Sequence, residues 1–313
     1  MSSEISIDGV CALTDRGVIR ASGVDAASFL QGQLTNDVAS LDAGSARLAG
    51  FCSAKGRLQA SFVVLRPASD EFLLVCASDI LAATLKRLSM FVLRAKCKLS
   101  DASGEVALFG IAGQTAAATL ADLGVWHARA QGETTVVRLP DAAGVRRALL
   151  ADRAAGAHAL PAGPAMSAPS WSWLEVESGI VTIEAATVDR FVPQMVNFEL
   201  VGGVDFHKGC YPGQEVVARS QYRGTTKRRA LLFDCDAVPR AGQDVFAGNA
   251  AGEPAGTVAN AAPHPSRQGG SALVEMRLAA VGEDLRLGAV DGPALRRREL
   301  PYAVPIDAAL ASS

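Results

Sequence analysis

The chain has 313 residues, 49% of them apolar, with 30 basic and 32 acidic side chains and a formal net charge of -2. Single cores stop growing near about 250 to 300 residues, so two or three packed units are expected. The balance excludes a disordered chain and a bulk nucleic-acid binder; any basic partner site has to be local. The first residues lack a cationic start followed by an apolar core. The longest uncharged apolar run, 106–121, is short for a bilayer and carries Gly110, Gly113 and Gln114. Neither a secretory signal nor a membrane partner is expected, which points to a cytoplasmic protein.

In chain order, residues 17–21 read as a strand and 25–34 as a helix with Ala26, Phe29, Leu30 and Leu34 on one face. Gln31, Gln33, Thr35, Asn36 and Asp37 cluster at its end, as a cap and turn or the rim of a pocket. Runs 47–53 and 58–66, joined by Ala54-Lys55-Gly56-Arg57, predict a hairpin, and 72–77 a further strand. Asp79 is placed to cap a helix reaching residue 90.

A second round follows: strands 97–99 and 106–111, a helix at 114–123, then strands 134–139 and 146–150. This predicts an α+β chain with two N-terminal subdomains of antiparallel sheet and helix, ferredoxin-like in pattern. The Pro-rich stretch 161–169 reads as a long surface loop, with Ser170 capping a helix that carries Trp171, Trp173, Leu174, Val176 and Glu177. From residue 227, β-prone runs 229–234, 256–260, 271–277 and 286–288 alternate with Gly, Pro and Asp turns, the texture of a small C-terminal β-barrel. The expected division is therefore 1–226 and 227–313.

The densest chemistry lies in Lys208-Gly209-Cys210-Tyr211-Pro212-Gly213-Gln214-Glu215. Pro212-Gly213 fits a turn, and Gln214 and Glu215 open a short helix, so Cys210 stands between a cation and a helix N-terminus. Such surroundings raise a thiolate fraction. A small buried residue beside a tight turn fits the same spacing. No acid occurs from 216 to 233, while Arg219, Arg223, Lys227, Arg228 and Arg229 do; a ligand carboxylate, a phosphate or plain solvent suits that run. The six cysteines are scattered with no C-x-x-C pair, so no resident metal site is expected. Trp171 is either core or a stacking face for a heteroaromatic ring.

The run KGCYPGQEVVARSQYRGTTKRR resembles the signature of the YgfZ family, folate-binding proteins tied to iron-sulfur cluster assembly and repair and to tRNA modification. FLQGQLTNDV at 29–38, the Ala54-Lys55-Gly56 turn and LEVESGI at 174–180 extend the resemblance over most of the chain. The wider superfamily is that of the glycine cleavage T-protein, an aminomethyltransferase. The resemblance implies tetrahydrofolate, or a one-carbon derivative, held between the α+β region and the barrel near the Cys210 loop. It implies Trp171, Glu177, Tyr211, Gln214, Arg219 and Arg223 as folate-binding residues. Cys210 with Lys208 would carry the chemistry, and Gly209, Gly213, Glu215, Asp37, Lys55 and Gly56 the motif's structure. Iron-sulfur client proteins or assembly factors are the implied partners, with no direct nucleic-acid contact. The T-protein supplies an aspartate soon after its hairpin glycine, whereas residues 56–61 here contain no carboxylate. A folate-dependent aminomethyl or methyl transferase is accordingly the alternative, and an accessory protein without independent turnover the first expectation.

Overall fold

The structure, a computed structural model, describes residues 7–120, 122–154, 161–222, 226–248 and 252–305. Its first elements are β1 (Gly9–Ala12), β2 (Arg16–Ser22), α1 (Ala26–Gln31), β3 (Ala46–Cys52), β4 (Leu58–Ala68), β5 (Glu71–Ala77) and α2 (Ser78–Ser89). There follow β6 (Lys98–Asp101), β7 (Ala107–Ala112), α3 (Gly113–Leu120), β8 (Ala128–Gln131), β9 (Thr134–Ala142) and β10 (Val145–Asp152). The order β3-β4-β5-β2-β6 forms a first sheet and β1-β7-β10-β9-β8 a second, both antiparallel throughout.

The two halves exchange edge strands. The N-terminal β1, absent from the sequence reading, pairs with β7 in the second sheet, and β6, expected in the second round, pairs with β2 in the first. An edge strand needs one partner only, so pairing across the halves satisfies its backbone as well as pairing within them. Val10 also exchanges hydrogen bonds with Pro164 and Met166, so part of the predicted 161–169 loop lies along β1.

Beyond it come α4 (Ala168–Glu177), α5 (Gln214–Tyr222) and strands β11 (Arg228–Cys235), β12 (Asp244–Ala247), β13 (Gly256–Pro263), β14 (Gly270–Arg277), β15 (Leu285–Leu287) and β16 (Leu295–Arg298). They pair as β15-β12-β13-β14-β11-β16, and the Arg286–Ala294 bridge draws the two end strands together into a nearly closed barrel. Strands β12 and β16 escaped the sequence reading; both are four residues long. The core does not stop at residue 226: Ala230, Leu232, Ala259, Ala262 and Leu273 of the barrel join the cluster that fills the first sheet. Helix α4 is the wedge between them, packing on β13 and β14 on one side and on β1 and β9 on the other. No helix of the described residues is long and apolar enough to cross a membrane.

Strand alternation sorts the second sheet's side chains. Val10, Phe109, Ile111, Val136, Ala148 and Leu150 turn outward with α3, while Cys11, Leu108, Leu139, Leu149 and Ala151 turn toward the first sheet.

Candidate functional site

Between the inner faces of the two sheets, closed by α4 and residues 178–182, lies a cavity of about 70 Å³ that opens to solvent. Most of its wall is apolar: Leu13, Leu48, Phe62, Val63, Val75, Leu139 and Leu149 contribute. Trp126 and Trp171, two of the chain's three tryptophans, also line it.

Helix α4 begins inside the predicted loop. Ser167, not Ser170, is its N-cap, accepting a hydrogen bond from the Ser170 amide at 3.2 Å, with Pro169 in the first turn. Residues four apart share a helix face, so Trp171 and Glu175 look into the cavity. The indole of Trp171 lies against Gly110 of β7, where an added Cβ would stand 2.5 Å from its ring carbons. The Arg147 guanidinium packs over the same indole, 5.5 Å from the ring centroid. Trp171 is 2% exposed, yet its Nε1–H has no hydrogen-bond partner among the described residues. A buried donor left unpaired is costly.

Three charged residues line the cavity. Arg16 is paired, binding Glu175 through Nη2 and Asp15 through Nη1. Arg147 is 2% exposed and makes one hydrogen bond, from Nε to the Pro140 carbonyl at 3.1 Å. Burial pushes its pKa down to about 10 against the opposing pull of Glu175 and Asp141.

Glu177 is not in the lining of this cavity. It is two residues past the cavity-facing position, and its Oε1 instead accepts from Arg298 of β16 at 2.7 Å, at the seam between α4 and the barrel. Burial raises its pKa, with Arg298 opposing. Trp173 faces the same seam, donating to Ser271 at 3.0 Å.

The Cys210 loop is held from three directions. Lys208 extends its ammonium away from solvent into the carbonyls that end α1, donating to Gln31 and, at 2.7 Å, to Leu34. It also lies 4.9 Å from the Tyr211 ring centroid. The Gln31 carbonyl ends α1 and the Leu34 carbonyl lies in the turn beyond it, so the lysine acts as a C-terminal cap from a distant loop. Burial lowers its pKa to about 8. Pro212-Gly213 turns against the Gly56 hairpin tip, and Gln194 ties α5 down by donating to the Val217 carbonyl at 2.8 Å. Lys208 and Tyr211 are buried while Gly209 and Cys210 between them are exposed. Of six cysteines, four are buried, Cys97 is half-buried and Cys210 alone is exposed.

Among the sequence-derived residues, then, only Trp171 lines the cavity. Gly56, Lys208, Tyr211 and Gly213 assemble the thiol loop. Gln214 starts α5, and on its exposed face Glu215 pairs with Arg219 at 2.7 Å. Asp37 accepts from Ser40 in the turn after α1, and Lys55 is exposed on the hairpin tip. Arg223 lies outside the described residues. Glu175, Arg16, Arg147 and Trp126 were missed. The Trp171–Glu175 spacing of one helical turn was the available signal for the first. No three His, Cys, Asp or Glu side chains gather at metal-holding distance among the described residues.

Residues 8–139 match the family model described as the GCVT N-terminal domain. The tRNA-modifying protein YgfZ of Edwardsiella ictaluri (strain 93-146) is 36% identical over 252 residues, covering 72% of each chain. The chain belongs to the YgfZ family. As a YgfZ-family protein it also shares its fold with the glycine cleavage system aminomethyltransferase T of Bartonella henselae, at a TM-score of 0.70 and 17% identity, over 96% of this chain and 86% of that one.

Proposed function

We propose that this YgfZ-family protein binds tetrahydrofolate, or a one-carbon derivative of it, in the cavity between the two sheets. On this reading it is a cytoplasmic accessory protein for iron-sulfur enzymes, tRNA-modifying ones included, with Cys210 as its functional thiol. The observation that carries the ligand half is the buried, unpartnered Nε1–H of Trp171 on the wall of a largely apolar cavity. A flat heteroaromatic ring with acceptor atoms suits both the tryptophan-rich lining and that donor. The thiol half rests on Cys210 being the one exposed cysteine, presented by a loop whose neighbours on both sides are buried.

The transferase alternative is weaker on the same wall. Its one carboxylate, Glu175, is engaged by Arg16, and Ser61, which lines the cavity from β4, already accepts the Ile183 amide at 2.9 Å. Neither is a free base beside a pterin amine.

The test is anaerobic calorimetric titration with tetrahydrofolate on the wild type, Trp171→Ala and Cys210→Ala. Saturable binding that weakens in Trp171→Ala and persists in Cys210→Ala is expected. Absence of saturable binding to the wild type would overturn the ligand half; full rescue of a null strain by Cys210→Ala would overturn the thiol half.

A further inference from the structure

Arg147 should not be where it is without a partner. It occupies an inward-facing position of β10 in an apolar wall, 2% exposed, and its Nη1 and Nη2 make no hydrogen bond or ion pair among the described residues. The acids nearest to it are committed elsewhere: Glu175 to Arg16, and Asp141 to Arg138 at 2.7 Å. The charged lining thus holds two guanidinium groups and one carboxylate. A buried cation left unpaired is expensive, so an anion that reaches it is favoured.

The position is built rather than accidental. Strand alternation puts Arg147 on the inward face of β10 with Leu149 and Ala151 and leaves Arg146 exposed on the other. Leu149, two residues on, faces Gly110 across the β7 pairing, so Arg147 and Gly110 share one face and the Trp171 indole lies against both. With Nε engaged by the Pro140 carbonyl, the Nη atoms are left for a two-oxygen acceptor.

We propose that Arg147 is a carboxylate receptor inside this cavity and sets its ligand specificity. The proposal rests on the folate reading for the source of the carboxylate, which is then the glutamyl tail of the folate. A neutral reduced pterin would satisfy the indole donor and leave the charge uncompensated; the tail's carboxylate compensates it. If the cavity takes no folate, the same guanidinium binds a separate small carboxylate.

The experiment compares tetrahydrofolate with tetrahydropteroate, which lacks the glutamyl group, and with p-aminobenzoylglutamate, which lacks the pterin. Calorimetry is run on the wild type, Arg147→Met and Arg147→Lys, with thermal unfolding of each protein without ligand. A charge-assisted hydrogen bond predicts that the wild type prefers tetrahydrofolate to tetrahydropteroate by about ten- to a hundredfold. That preference should vanish in Arg147→Met and survive in part in Arg147→Lys. Arg147→Met should unfold at an unchanged or higher temperature, since a buried unpaired charge has been removed, which separates lost recognition from lost folding. Equal affinity of the wild type for both folates would overturn the proposal and leave the folate reading intact. If the wild type binds neither folate, binding of p-aminobenzoylglutamate or succinate that is lost in Arg147→Met upholds the carboxylate site, and binding of no carboxylate overturns it.

Discussion

Gly56 and Gly213 meet backbone to backbone: a Cβ added to Gly213 would stand 2.6 Å from the Gly56 Cα and 2.4 Å from the Ser53 carbonyl oxygen. Both glycines have positive φ, +71° and +79°. Two turns remote in sequence, one ending a hairpin and one preceding α5, are thereby locked together, and the lock holds Cys210 at the surface.

Gly213→Ala combines a positive-φ penalty with a clash against backbone that cannot move aside, so a loss of about 1 to 3 kcal/mol is expected. Chemical denaturation measures it. Faster alkylation of Cys210 in the variant would report undocking of the loop; unchanged stability would show that the contact yields at no cost.

Lys208 provides a pH signature. Burial lowers its pKa from 10.5 to about 8, so between those values the unfolded chain carries a proton that the folded one has released. Stability contributed by this group therefore rises with pH across that window and is flat below it. Denaturation of the wild type and Lys208→Met from neutral pH upward should show the difference shifting toward the wild type as pH passes through about 8 toward 10.5. A flat difference would place the ammonium in a better-solvated site.

Thiol chemistry should be confined to one residue. Cys52 and Cys76 are buried and their pKa values are pushed up to about 12 by that burial, which makes them inert. Aromatic disulfide titration of the native protein is expected to give a single fast phase that Cys210→Ala abolishes. A fast phase that persists in the variant would move the reactive thiol to Cys97.

Glu177→Ala separates the seam from the cavity. Arg298 loses a partner but is 35% exposed and keeps Asp234 at 3.3 Å, so the cost is expected to be about 1 kcal/mol rather than the larger loss of a fully buried pair. Tetrahydrofolate affinity of the folded variant should equal that of the wild type. A large fall in affinity would return Glu177 to the ligand site.

Elements with strong local signals were legible. The hairpin around Gly56, the alternating strands and the short helix after Pro212-Gly213 follow from turn chemistry and periodicity that act within a few residues. Helix α1 ended early, at Gln31 and not Leu34, because Gln31 spends its side chain accepting the Val38 and Ala39 amides and builds a turn. The octapeptide around Cys210 was visible as a motif, although Lys208 proved to reach into α1 rather than out toward the thiol.

The cavity was not legible as a site. Its wall draws on β2, β4, β10 and α4, and no local pattern tells which face of each strand turns inward. Arg146 and Arg147 are chemically alike in sequence, and the face that β10 turns to the core decides that Arg147 is buried beside Trp171 while Arg146 is exposed. The sequence by itself determined the α+β composition, the glycine-dependent turns and the family signature, since these depend on short-range sterics and periodicity. Only the tertiary structure decided the exchange of edge strands, the seating of Glu177 against the barrel and the unpaired charge of Arg147, because each depends on which distant groups compete for the same partner once the core has closed.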